Sequence, residues 1–139
     1  MSHCFKLFAL LAIVCISCKN GGPGVEYKVS EWETVPVQKI PIETLEKNIS
    51  QYDGQYIETE GNFHEEYNMY SIVPDNFSKS DLLGLWLGLN KGLSISDNDL
   101  KNLLNKRIRV RGKIDKERKG NLGEFAGSIS EVYFIKKLD

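Results

Sequence analysis

Four leucines at alternate positions, Leu83, Leu85, Leu87 and Leu89, do more than any other stretch to limit how this chain folds. Between them stand Gly84, Trp86, Gly88 and Asn90. A period of two makes one face of a β-strand apolar and leaves the opposite face free for other chemistry. Residues 82–90 are therefore expected as a strand, and the same period recurs elsewhere. Residues 55–63 turn Ile57, Thr59, Gly61 and Phe63 one way and Tyr56, Glu58, Glu60 and Asn62 the other. Residues 67–73 form another strand, followed by a polar loop over 74–81. Residues 107–115 bury Ile108, Val110 and Ile114, and residues 128–138 close the series after a glycine-containing loop.

Two segments have helical spacing instead. In residues 42–52, Ile42, Leu45, Ile49 and Tyr52 share one stripe. Pro41 stands at the first turn, where its missing N–H costs nothing, and Asp53-Gly54 ends the segment. A shorter helix starts at Ser96-Asp97-Asn98-Asp99, which has the side chains that cap exposed N–H groups, and carries Leu100, Leu103 and Leu104. Ahead of both, residues 25–41 read as an extended lead-in lying on the domain surface. The order after the lead-in and first helix is β-β-β-α-β-β.

That order resembles the OB fold, a small five-stranded Greek-key barrel whose helix links the third and fourth strands. The resemblance covers about residues 55–138, and an α+β domain with an open sheet is the rival arrangement. The phrases Tyr52-Asp53-Gly54-Gln55, Arg109-Val110-Arg111-Gly112 and Gly127-Ser128-Ile129-Ser130 also look like those of small OB-fold lipoproteins of Gram-negative bacteria. That family has no established catalytic or binding residues, so none is carried over.

The N-terminus supports the lipoprotein reading independently. Lys6 precedes an apolar run from Leu7 to Ile16, about half of the ~20 residues a membrane-spanning helix needs. A cationic start, a short apolar run and a small residue form an export signal. Cys15-Ile16-Ser17-Cys18 resembles the bacterial lipobox, with Cys15 where Leu is usual. This implies cleavage after Ser17 and lipid on Cys18. The expected organisation is a signal peptide over 1–17 and a glycine-rich tether over 18–24. A lead-in with a short helix then covers 25–54, and the barrel covers 55–139. Lys19 stands where some bacteria use Asp to retain a lipoprotein at the inner membrane, which favours the outer membrane.

Composition excludes several functions. Lys6 is the only charged residue of the export segment, so the remainder holds two more acidic than basic side chains, unlike a bulk-charge nucleic-acid binder. Cys4 and Cys15 depart with the signal and Cys18 carries lipid, leaving no thiol for a disulfide, nucleophile or metal. No cofactor is expected. One histidine remains, His64, followed by Glu65 and Glu66 at an expected strand-to-strand turn; a solvated turn explains it better than a metal site. No Gly-x-Ser-x-Gly elbow or triad is present, and Glu58 and Glu60 are expected on a solvated strand face. The stretch 120–127 lacks the phosphate-loop lysine and reads as a hairpin loop. An enzyme is not expected.

Charge is unevenly placed. Nine basic and two acidic residues lie between Lys101 and Lys119; seven acidic and one basic lie between Glu43 and Glu66. In an OB barrel the first and fourth strands are antiparallel neighbours, so the Glu58/Glu60 row should lie beside the Arg107/Arg109/Arg111 row and neutralise it. Single-stranded nucleic-acid binding needs aromatics within a basic groove, whereas Trp86 sits on another strand.

Trp86 is the residue to follow. Glycines two places away on either side signal a close approach by a ligand, or by the chain's own lead-in or first helix. OB precedent places a groove across the second and third strands and under the flanking loops. Those positions hold Tyr70, Trp86, the loop near His64, and Phe125. The expected function is a monomeric, non-catalytic envelope module that binds a protein, glycan or small ligand, tethered to the membrane through Cys18. A structural component of an envelope assembly is the alternative.

Overall fold

The computed structural model describes residues 22–77 and 84–139. The export segment, Cys18, most of the tether and the expected strand start at Leu82 and Leu83 lie outside the described residues. Among those described, the chain forms β1 (Glu26–Lys28), a 3₁₀ turn (Ser30–Trp32), β2 (Gln38–Lys39), α1 (Ile42–Lys47) and α2 (Ile49–Tyr52). It continues with β3 (Tyr56–Glu66), β4 (Met69–Val73), β5 (Leu85–Leu89), α3 (Asp97–Leu103), β6 (Arg107–Asp115) and β7 (Gly127–Lys137).

β3, β4 and β5 are antiparallel neighbours, β5 runs parallel to β7, and β7 and β6 are antiparallel; β6 returns antiparallel to β3. Five strands thus close a barrel, with α3 between the third and fourth of them, as in a small OB-like barrel. The expected antiparallel neighbourhood of the first and fourth barrel strands is present, with Glu58 opposite Arg111 and Glu60 opposite Arg109.

Alternation builds the interior. Ile57 and Phe63 from β3, Ile72 from β4, Leu85 and Leu87 from β5, Ile108, Val110 and Ile114 from β6, and Ile129 and Ile135 from β7 are all buried. Complete burial of such a side chain contributes ~1.5–3 kcal/mol relative to exposure. Ile42 and Leu45 of α1 and Leu100 and Leu103 of α3 join the same cluster. Ser96 caps α3 reciprocally: its hydroxyl accepts from the Asp99 N–H at 3.1 Å, and the Asp99 carboxylate accepts from the Ser96 N–H at 3.1 Å.

Three expectations need correction. The helix over 42–52 is two helices, parted at Asn48, whose φ of −128° is not helical. The Asn48 side chain donates to the Thr44 carbonyl at 3.1 Å, beside the Asn48 main-chain N–H, which bonds the same oxygen at 3.0 Å. The lead-in does not merely lie on the surface. β1 pairs with the C-terminal half of β7 beyond the reach of β5, β2 pairs with the start of β3, and Val29 and Ile40 are buried. Finally, His64 lies within β3, opposite Ser71. The turn is Tyr67-Asn68, both left-handed at φ 54° and 61°, as a two-residue I′ hairpin requires.

Candidate functional site

The arginine stripe is occupied internally. Arg111 Nε donates to Glu58 Oε2 at 2.6 Å, and Arg109 Nε donates to Glu60 Oε1 at 2.8 Å. Arg107 bridges Glu60, at 3.3 Å, and Asp75. The Arg111 guanidinium also lies 4.3 Å from the centre of the Phe134 ring. Hydrogen bonds from Arg109, and then from Arg107, hold the Glu60 carboxyl below its ordinary value against the effect of its partial burial. Glu58 is not on a solvated face, since only 3 % of it is exposed. Three cations surround its carboxylate, with Lys39 at 3.7 Å and Arg109 at 3.8 Å beyond Arg111. The stripe is a charge ladder rather than a free basic surface.

Trp86 has a different setting. Strand register places Ser71 opposite Trp86, Trp86 opposite Ser128, and Ser128 opposite Asp115. Because His64 is opposite Ser71, the residues His64, Ser71, Trp86 and Ser128 form one row on the barrel's outer face. Trp86 is half-buried and stands outside the core cluster among the described residues. The Arg118 guanidinium lies 5.8 Å from its ring centre, within cation–π range. Arg118 Nε is also 3.8 Å from Asp115 Oδ2. A shallow cleft of about 450 Å³ adjoins them, with Asp53, Lys113, Asp115, Arg118, Ser130 and Glu131 on its walls. The Ser128 and Ser130 hydroxyls are 3.1 Å apart. An aromatic ring beside a guanidinium, the Ser130 hydroxyl and carboxylates can stack on a ligand and bond to its polar groups.

The glycines beside Trp86 serve the barrel itself. A Cβ on Gly84, at φ +72°, would lie 2.2 Å from the Ile72 carbonyl oxygen; one on Gly88 would make only ordinary contact with the Ser130 main chain. The close approach is therefore that of β4, not of the lead-in or first helix. From the lead-in, Trp32 packs instead on Tyr56 and Tyr133, with ring centres 6.0 and 5.5 Å away.

The four residues singled out from sequence do not share one surface. His64 and Trp86 are in the outward row, His64 against Phe77 at 5.6 Å. Tyr70 belongs to the opposite, inward row and stacks on Phe63 at 5.1 Å; burial raises its pKa. Phe125 is 3 % exposed and folded against Gly120 inside its own loop. Neither Tyr70 nor Phe125 offers a free ring beside Trp86. Sequence reasoning missed Arg118, whose signal was its place in the loop that OB barrels direct toward the outer face of their third strand. It also missed Ser71, whose buried hydroxyl has no hydrogen-bond partner among the described residues.

Among the described residues, no group of three or more His, Cys, Asp or Glu is arranged to hold a metal ion. Nor is any described helix long and apolar enough to cross a membrane. No protein-family model matches the chain, and no curated protein matches it.

Proposed function

We propose that the chain is a lipid-anchored binding module of the cell envelope, attached through Cys18 and acting without catalysis, with the Trp86–Arg118 face as its recognition surface. The observation that carries this reading is the outward Trp86 ring with a guanidinium beside it, on a barrel whose other arginines are engaged with carboxylates. The adjoining cleft supplies the Ser130 hydroxyl, carboxylates and a lysine, a set suited to a polyhydroxylated ligand such as a glycan chain.

Chain geometry supports this assignment. Gly24 donates its N–H to the Lys137 carbonyl at 2.8 Å, so the tether joins the barrel at the end of β7. The six residue-to-residue steps from Cys18 to Gly24 span at most about 20 Å. Ser128, opposite Trp86, lies nine residues back along β7, roughly 30 Å at the rise of a strand. An anchor at Cys18 would hold the Lys137 end near the bilayer and present Trp86 away from it.

The test pairs capture with stability. Trp86→Ala should keep a melting temperature near wild type while losing retention on immobilised envelope glycans. Retention equal to wild type would remove Trp86 from the site, and an unfolded variant would make it a core residue. Cys18→Ala should abolish incorporation of a palmitate analogue; undiminished label would overturn the anchor.

A further inference from the structure

We propose a second site, independent of the anchor and of Trp86, that captures the free amino terminus of a peptide in a break along the edge of β3. The main-chain groups of β3 face alternate neighbours. Phe63 bonds Lys106 and Asn105 on the β6 side, while the Glu58 carbonyl accepts the Ile40 N–H at 3.0 Å on the opposite side. Glu58, Glu60 and Asn62 therefore direct their main chains away from β6. On that side β2 pairs with β3 only as far as Glu58, and β4 begins its pairing at Asn62. Continuing the β4 register would bring Asp75 opposite Glu60, but β4 ends at Val73 and Pro74 follows. Glu60 is left with its N–H and C=O facing a gap, and neither has a main-chain partner among the described residues.

The gap opens into a cleft of about 350 Å³ between the segment from Lys39 to Glu43 and the residues Glu58, Thr59, Glu60, Asp75 and Arg107. That volume suits one or two residues of peptide rather than a long chain. Thr59, on its wall, is 2 % exposed, and among the described residues its hydroxyl has no hydrogen-bond partner. A buried polar group normally has one, so a second orphan beside Glu60 marks a place where a polar guest would be bound. Ile40, Pro41 and Ile42 supply apolar wall for a side chain.

One carboxylate selects the amino end. Of the four that line the cleft, those of Glu43, Glu58, Glu60 and Asp75, Glu58 and Glu60 are paired with Arg111 and Arg109 as well as with the lining cations Lys39 and Arg107. Both lining cations are already engaged, Arg107 with Glu60 and Asp75, and Lys39 with Glu58 at 3.7 Å. Glu43 is exposed and makes no ion pair among the described residues. A free α-ammonium can therefore pair with Glu43 while its first peptide unit bonds the Glu60 main chain as an isolated β-bridge, an amine-capture mode combined with strand addition. A carboxyl terminus would meet cations that are already neutralised.

The test titrates the isotope-labelled mature protein with Ala-Leu-Ala-amide and with its N-acetyl form, following amide resonances. The free-amine peptide should shift Thr59 and Glu60 and saturate at millimolar concentration or below. The acetylated peptide should bind at least tenfold more weakly, as should the free-amine peptide to the surface variant Glu43→Gln. Thr59→Val, which replaces an unpartnered hydroxyl, should melt no lower than wild type yet also bind more weakly. Equal binding of the two peptides, or no shift at Glu60 up to 10 mM, would overturn the proposal. Butylammonium binding as tightly as the peptide would remove its main-chain half and leave a simple amine site.

Discussion

Arg111→Ala should be far more damaging than an exposed arginine deletion, because of where its carboxylate partner lies. Cross-strand ion pairs on a solvated face contribute ~0.2–1 kcal/mol. That estimate applies to Arg107, which is itself 37 % exposed and bonds to carboxylates of similar or greater exposure. It does not apply to Arg111, whose 2.6 Å partner Glu58 has a side chain only 4 % exposed. Removing one member of a buried pair leaves the other charged and desolvated, at ~3–5 kcal/mol. Arg109 and Lys39, at 3.8 and 3.7 Å from Glu58, recover part of that. Loss of the guanidinium over Phe134 adds ~0.5–2 kcal/mol. Together these put Arg111→Ala at ~3–5 kcal/mol, a large share of the ~5–15 kcal/mol that holds a domain folded. Urea denaturation should give this as a shift in midpoint at unchanged slope. Combining Arg111→Met with Glu58→Gln should cost less than Arg111→Ala alone, since no lone charge remains. An Arg111→Ala loss no larger than that of Arg107→Ala would refute the claim that Glu58 is buried as a charged group.

Gly84→Ala should cost ~2–5 kcal/mol, combining ~1–2 for an L-residue at φ +72° with a main-chain clash at Ile72, whereas Gly123→Ala, at φ +69° with open space, should cost only ~1–2 in the same melts. Stability should fall in acid. The Glu60 and Asp99 carboxyls are both lowered in the fold, by hydrogen bonds from Arg109 and Ser96 respectively, so their contribution is complete above the unfolded values near pH 4 and lost as pH falls through the folded ones. Glu60→Gln should flatten that acid slope in melts run from pH 7 to 2.5. Chelator and reductant should leave the melting temperature of the mature domain unchanged, and a marked drop with either would reveal a structural metal or disulfide.

Much of the barrel was legible because period two is a local property. β6 was expected at its observed bounds, the paired rows of Glu58/Glu60 and Arg109/Arg111 followed from strand order, and the Ser96 cap lay in four consecutive residues. The misplaced features depend on what no local pattern encodes. Helical spacing carries Ile42, Leu45, Ile49 and Tyr52 straight through Asn48, and only the non-helical backbone of that residue, at φ −128°, reveals the break. The hairpin turn falls at Tyr67-Asn68 rather than near His64 because two left-handed residues are accommodated without glycine. Glu58 has the same outward phase as Glu60 yet is buried, since β2 pairs along the start of β3 and places Lys39 against it.

The same distinction governs the candidate site. Alternation established that Trp86 faces away from the leucines, but it could not show what else does. Tyr70 is one residue out of phase with Ser71, the β4 partner of Trp86, so it falls on the inner row although it looked like a neighbouring ring. Phe125 is withdrawn by the conformation of its own loop, where it fills the space beside Gly120. Arg118 comes to the ring through that same loop, bringing a charge that composition alone would assign to the basic stripe. Arg107, Arg109 and Arg111 are each within 3.5 Å of a carboxylate, whereas the nearest carboxylate contact of Arg118 is 3.8 Å and its side chain is 59 % exposed. Of these four arginines, Arg118 is the least committed to the fold, and it is the one beside the outward tryptophan. That difference in commitment, more than the number of basic residues, directs the search for a ligand to Trp86.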